Sequence, residues 1–448
     1  MTEPRVEPFD ANGRPIAELP FRQILRLSLY WLGLSSIFAG LNFILGGRLE
    51  FDGLVDKDSA GRALFAVSIS GAIIAAVVQP TIGAISDYTV SRWGRRKPYI
   101  LVGSVLDVVF LVGLAMSNDL LAIAAFIALL QFSANLAQGP FQGYVPDLIA
   151  APQVGLASAL VGLMQILGNV AGFVIGGLAV AYDQFGLGLI ALGVLELVTM
   201  LSVVINVREG PPPKSRGGRS WLAIGREAWG TDILRERSFL WLVGSRLAVL
   251  MAGGVLTNLA VFYLPRSLGL TQEESGTAFI AMVGLVALGT VVAVVPSARL
   301  SDRVGRKPVI WASCVIGALG VGIVAVAPSF PVALVGSTLF GLSAGIFLAV
   351  DWALMTDIIP KASSGRYMGL SNVATASAGI LAVAFGAGLI MDLVNSLAGY
   401  GVGPRAAMLF GAGSFFLGAL LLIPVVEPRR LDGPASGGAA GPPVAASS

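Results

Sequence analysis

The chain reads as an all-α membrane protein: twelve transmembrane helices in two pseudo-symmetric six-helix bundles. Three observations predict that class. Apolar residues make up 55% of the 448 and charged residues 12%, with a mean hydropathy of +0.82, whereas a water-soluble domain carries about 25% charged residues to dress its surface. Apolar stretches recur at lengths close to the roughly 20 residues that cross a bilayer. A basic run, GAISDYTVSRWGRRKP (83–98), returns in shortened form as SDRVGRKP (301–308), each copy wedged between two such stretches.

Taken in order, residues 1–23 hold Glu3, Glu7 and Asp10 with no basic flank leading into an apolar core, and read as a cytoplasmic segment rather than a cleavable signal. The spans are expected at 24–46, 63–85, 99–117, 119–141, 156–180 and 186–207, which make the N-terminal bundle (24–207). In span five, GNVAGFVIGG sets Gly168, Gly172 and Gly176 four apart on one face, where missing side chains let two backbones approach. Residues 208–238 open with PPPKSRGGR and close with REAWGTDILRER, a flexible cytoplasmic strip followed by an amphipathic helix resting on the membrane surface. The second bundle (239–428) takes spans 239–262, 276–296, 308–327, 330–356, 367–391 and 405–426. Its Cys314 is the single cysteine, so neither an intrachain disulfide nor a cysteine metal cluster is available. Residues 429–448 are almost all Gly, Ala, Pro and Ser, too poor in large apolar groups to pack, and read as a disordered cytoplasmic tail.

Of the 29 Lys and Arg, 23 fall on one side of the expected spans, five on the other, and Arg246 lies within a span. That bias predicts a multi-pass protein of the plasma (cell inner) membrane with both termini cytoplasmic. The cations follow topology and do not gather in one groove, so the net charge of +3 gives no reason to expect a nucleic-acid partner. After span four, PDLIAAPQVG (146–155) mirrors TDIIPKASSG (356–365), with Asp147 and Asp357, and likewise Gly155 and Gly365, 210 residues apart. Duplicated halves of this kind suit carriers that rock about a site near the midplane. A monomer is expected.

In the first basic loop Asp87 ends span two, Gly94 permits the sharp return, and Arg92, Arg95 and Arg96 sit at the interface; Asp302, Gly305 and Arg306 repeat the arrangement. A charge-assisted pair that forms in one state only biases the equilibrium between states. The expectation is that both aspartates, with their arginines, latch the inner face while the outer face is open. The alternative is that the cations merely anchor the topology by attraction to anionic membrane lipid.

On these residues, GxxxD followed by xGRRK between spans two and three and echoed between spans eight and nine, the whole chain resembles the major facilitator superfamily. More narrowly, SDYTVSRWGRRKPYI (86–100), NLAQGPFQGYVPDL (135–148) and MQILGNVAG (164–172) resemble the sucrose and proton-associated sugar carriers of the glycoside-pentoside-hexuronide group. The resemblance implies the major facilitator fold, a small-molecule substrate that is a sugar or glycoside, and symport with a proton or other coupling ion by alternating access. One departure stands out. Where those sucrose carriers place an aspartate in span four, this chain has Gln131, which cannot exchange a proton.

A charged side chain in hydrocarbon costs at least ~2.5 kcal/mol, so each one marks a functional candidate. Asp107, Glu196, Arg246 and Asp351 are the coupling candidates; the chain has no histidine, so a proton must ride on a carboxylate. By resemblance, spans seven and ten line the cavity, which favours Arg246 and Asp351 as a charge pair; snorkelling of both to the interface is the competing reading. Sugar hydroxyls call for amides and an aromatic face. Asn42, Gln131, Asn135, Gln138, Gln142 and Asn258 supply the amides, and Trp352, Trp31, Phe38, Phe141, Tyr144, Phe262 or Tyr263 the face. No Walker loop, histidine pair or cysteine nucleophile points to an enzyme, and no cofactor or metal is implied. Two rival readings stay open. GNVAGFVIGG resembles the glycine-rich motif of proton-linked drug exporters, with Phe173 in place of its proline, and Gln131 is compatible with a non-transporting sensor or scaffold that retains the carrier fold.

Overall fold

Among the described residues, twelve helices are long and apolar enough to cross a membrane. The computed structural model describes residues 15–207, 209, 217–218, 220–221, 236–358, 371, 375 and 377–426. The first 14 residues, the amphipathic helix expected within 208–238 and the tail 429–448 lie outside them, the helix but for a few positions. The helices are α1 (Phe21–Phe51), α2 (Ala60–Ser86), α3 (Lys97–Met116), α4 (Leu120–Gln142), α5 (Val154–Ala181), α6 (Phe185–Asn206), α7 (Arg237–Leu268), α8 (Gln272–Val304), α9 (Arg306–Val326), α10 (Phe330–Ile358), α11 (Ser377–Ala398) and α12 (Val402–Leu421).

The ends have local causes. Pro98 sits in the first turn of α3, where its missing N–H is no loss. Asp119 accepts from the Ala122 amide at the start of α4 (3.0 Å), and Thr271 and Glu274 form a reciprocal capping box on α8. Gly94 (φ +110°) and Gly305 (φ +95°) turn the two basic loops through a region closed to most side chains. Several boundaries differ from the sequence expectation: α1 runs to Phe51, α7 to Leu268 and α8 to Val304, past the expected 46, 262 and 296. The eleventh helix continues to Ala398, beyond the expected 391, and stops where Gly399 takes φ +97°; the twelfth starts at Val402 rather than 405. Ala382–Met391 of α11 is wound as a π-helix, a form found mostly at functional sites.

Helix pairing repeats between the halves. In the first, α1 packs on α5 and α6, α4 on α2 and α3, and α3 on α6; in the second, α7 packs on α11 and α12, α10 on α8 and α9, and α9 on α12. The glycine face of α5 does what its spacing predicts: a Cβ at Gly168 or Gly172 would stand 2.4 or 2.2 Å from the carbonyl oxygens of Leu32 or Ser36 on α1. Lipid-facing stripes such as Val102, Val105 and Val109 on α3 and Leu288, Val291, Val292 and Val295 on α8 are exposed. This is a multi-pass integral membrane protein.

The halves meet along α1–α7, α2–α11 and α5–α8. Their described contacts gather at one end, opposite the basic loops, called here the distal end. Phe43 stacks on Phe279 at 3.6 Å, Gly177 abuts Gly276, and Gly61 abuts the Ala387 carbonyl.

Candidate functional site

Four clusters of polar side chains are buried in this apolar frame. In the second half, Arg246 of α7 forms an ion pair with Asp351 of α10 and donates Nε–H to the Thr375 hydroxyl at 3.1 Å; its guanidinium lies 5.8 Å from the Trp352 ring centroid. Both charged groups are buried, Asp351 to 1% exposure, so the pair sits inside the half-bundle and Trp352 joins it.

In the first half, Asp107 of α3 and Glu196 of α6 are fully buried, 0% exposed each, and lie close enough for each to feel the other's charge. Ser133 of α4 donates to Asp107 Oδ1. Tyr30 of α1 donates to Glu196 Oε1 at 3.1 Å and shares a 2.6 Å hydrogen bond with Ser104. The Asp107 Oδ2 and Glu196 Oε2 atoms receive no hydrogen bond from a described residue. Four helices thus converge on two carboxyl groups.

Gln131, Asn135, Gln138 and Gln142 stand at i, i+4, i+7 and i+11, which puts all four on one face of α4. Asn135 donates to the Gln131 carbonyl at 2.7 Å, and the Gln131 side chain lies where Gly71 of α2 leaves room. Asn258 of α7 is buried near Gly379 of α11, and Asn42 of α1 is half-buried. Three of the expected aromatics meet at the basic end of α1 and α4: Phe141 packs against Trp31 (5.6 Å) and Tyr144 (5.9 Å), and also against Tyr30 (4.7 Å). Phe262 faces Arg266, and Tyr263 donates to the Val324 carbonyl at 2.5 Å.

In the first basic loop Arg96 pairs with Asp87 and with Asp147, each at 2.7 Å, and also donates to the Pro140 carbonyl; Arg95 pairs with Asp147. These partners all belong to the first half. Arg92 lies over Trp93 at 5.6 Å. In the second copy Arg306 lies 3.2 Å from the Ser301 hydroxyl and 3.4 Å from Asp302. Sequence reasoning missed Glu209, whose carboxylate accepts from the backbone N–H groups of Arg95, Arg96 and Lys97 and from the Tyr144 hydroxyl (2.9 Å). It occupies the anion-binding start of α3, and burial together with that carboxylate pushes the Tyr144 hydroxyl well above its usual range.

The fourth cluster was also missed, because Arg266 reads in sequence as an ordinary loop cation and Glu50 as a span-end acid. At the distal end Arg266 of α7 reaches across to Glu50 of α1 with Nε at 2.9 Å and Nη2 at 2.5 Å, and the Tyr400 hydroxyl donates to the other carboxylate oxygen at 2.9 Å. The side chains of the pair are 0% and 1% exposed. Burial, then the nearby Glu50 carboxylate, pushes Tyr400 up to about 12, so it stays a donor. Beside them the Arg62 amide at the start of α2 donates to Asp392 of α11 at 2.9 Å. One sequence signal was available: Glu50 and Arg266 each close the first helix of their half.

Duplicated helical halves, the paired basic loops and buried charge at mid-membrane agree with one family assignment. The family model described as MFS/sugar transport protein matches residues 60–426. The chain belongs to that family. A rice protein, Sucrose transport protein SUT1 (Oryza sativa subsp. japonica), is 32% identical over 127 residues, 23% of this chain and 24% of that protein. Human Proton-associated sugar transporter A is 30% identical over 147 residues, 30% of this chain and 19% of its own length. The chain therefore spans about a quarter or less of the curated relatives it matches here. Among solved structures, a D-xylose–proton symporter superposes with a TM-score of 0.65 at 16% identity, covering 90% of this chain and 96% of that one, a likeness of fold.

Proposed function

We propose that the protein is a secondary carrier that moves a sugar or related polyol together with a proton by alternating access, with its basic end in the cytoplasm. The observation that carries this reading is the buried charge cluster that closes one end of the seam. At the distal end the halves are bolted together by the buried Glu50–Arg266–Tyr400 cluster. That is the arrangement expected of a carrier closed to the outside. The α4 amides, with Asn42 and Asn258 on the pseudo-equivalent helices α1 and α7, supply the donors and acceptors that hydroxyl groups need. The likeness to sucrose and proton-associated sugar transporters favours sugars and a proton over drugs.

Purified protein in liposomes, offered labelled sucrose, myo-inositol and xylose with and without an inward proton gradient, tests the reading. Gradient-driven accumulation of one of them is expected. Uptake indifferent to the gradient removes proton coupling, and silence toward every sugar overturns the carrier reading in favour of a scaffold.

A further inference from the structure

The buried carboxyls of the first half have a counterpart that shows what the fold alone requires. Gly317 and Ser343 follow Asp107 and Ser133 by 210 residues, the spacing that also relates Pro308 to Pro98. The three-dimensional neighbours correspond as well. A Cβ at Gly317 would lie 2.5 Å from the Ser343 hydroxyl, as Asp107 lies against Ser133, and 2.4 Å from the Phe415 ring of α12, the helix that corresponds to α6. In the second half a phenylalanine ring packed on a glycine therefore fills the place that Asp107 and Glu196 hold in the first. A packed helical half of this design closes without acids.

Two carboxylates with no cation are an expensive way to fill that space. Glu196 on α6 and Tyr30 on α1 are the charged or titratable groups facing Asp107; α4 contributes Ser133 and α3 itself Ser104; among the described residues no Lys or Arg faces either acid. Both acids stand ten residues from the basic ends of their helices, which at 1.5 Å per residue is about 15 Å, the middle of a ~30 Å hydrocarbon layer. Two negative charges there repel each other with no water to screen them. A proton on the bare oxygens, Asp107 Oδ2 or Glu196 Oε2, converts the contact into an O–H···O hydrogen bond and leaves one charge, which Tyr30 and Ser133 solvate.

Resting on the proposed proton coupling, we propose that Asp107 and Glu196 together form the proton-binding site of this carrier, holding one shared proton that Tyr30 reports to α1. The site stands in for the span-four acid whose position Gln131 occupies. Loading takes a proton from hydronium, leaving water, and joins the two acids through it; unloading returns it to water and separates them by repulsion. Tyr30 is bonded to Glu196 and packed edge-on against Phe141 of α4, so a change in the acid pair is transmitted to α1 and α4.

Infrared difference spectra of the full chain in lipid, recorded between acidic and alkaline pH, test the site without any sugar. A protonated-carboxyl band that titrates, is lost in the D107N/E196Q double variant and survives in D351N is expected. Absence of that band, its survival in the double variant, or its replacement by added sodium at fixed pH overturns the assignment. D107G/E196F, which copies the second half, serves as the variant that keeps packing while removing the acids and must lose the band too. Sugar exchange between equal pools needs no net proton movement, so the double variant is expected to keep exchange and lose gradient-driven accumulation; a double variant that still accumulates overturns the site. A wild type that shows the band but exchanges no sugar upholds the site and overturns the sugar-carrier reading instead.

Discussion

The two halves share a helix-packing plan yet solve the burial of a carboxyl group in opposite ways. Asp351 in the second half is neutralised by a guanidinium from the neighbouring helix, whereas Asp107 in the first half faces another acid and two hydroxyls. A cation fixes charge in place, and a second acid leaves it adjustable by a proton. The difference separates a static element from a switchable one.

The comparison can be broken most forcefully at Arg246. Arg246→Ala strands Asp351 in a low-dielectric interior and is expected to destabilise the protein by about 3–5 kcal/mol, read as a fall in melting temperature in detergent. The R246M/D351L double variant, which removes both charges and keeps volume, is expected to recover most of that loss; failure to recover assigns the pair a role beyond charge balance. Next in size comes the distal bolt. Glu50→Gln keeps the shape and removes the charge that Arg266 meets, a loss of about 1.5–3 kcal/mol of charge-assisted bonding. A cysteine placed at Val261, buried on the same seam against Gly46, is expected to become reactive to an impermeant maleimide in that background. Unchanged labelling removes the bolt from the closed state.

Smaller effects sharpen the contrast between halves. Ser133→Ala deprives a buried carboxyl of its donor and is expected to cost about 1–3 kcal/mol, while Ser343→Ala, whose hydroxyl donates to the Ser313 carbonyl, costs about 1 kcal/mol or less. Equal losses refute the asymmetry. Asp107→Asn is expected to change stability least, by under about 1 kcal/mol, because an amide accepts from Ser133 and donates to Glu196 as a protonated acid does. A melting-temperature drop as large as that of Arg246→Ala sinks the shared-proton description.

Hydrocarbon made the fold legible. Every span must be apolar over bilayer length, so the twelve helices follow from composition along the chain, and Gly168, Gly172 and Gly176 mark a helix contact because only their spacing matters. The expected start of the eleventh helix at 367 lies outside the described residues, and its end depends on a positive φ at Gly399 that hydropathy does not encode. At the site, in-span charge flagged Asp107, Glu196, Arg246 and Asp351, since each violates the composition of its surroundings. The resemblance led to the Arg246–Asp351 pair, but that Asp107 faces Glu196 was not legible. Glu50 and Arg266 sit at helix ends, where charge is ordinary, and only the approach of α1 to α7 turns them into a pair. Glu209 was hidden for a similar reason, because its partners are backbone N–H groups that no sequence pattern displays.

The backbone-to-backbone fit of α5 on α1 has a mechanical corollary. Where glycine carbonyl contacts replace side chains there is nothing to re-rotamerise, so the two helices cannot slip past each other and must travel as one beam. The Phe43–Phe279 stack across the seam is flat, nearly parallel and apolar, a surface over which that beam can pivot without breaking a directional bond. A tilt started at Tyr30, low on the beam, would therefore be delivered by leverage to Glu50 at its far tip, some 30 Å away at 1.5 Å per residue.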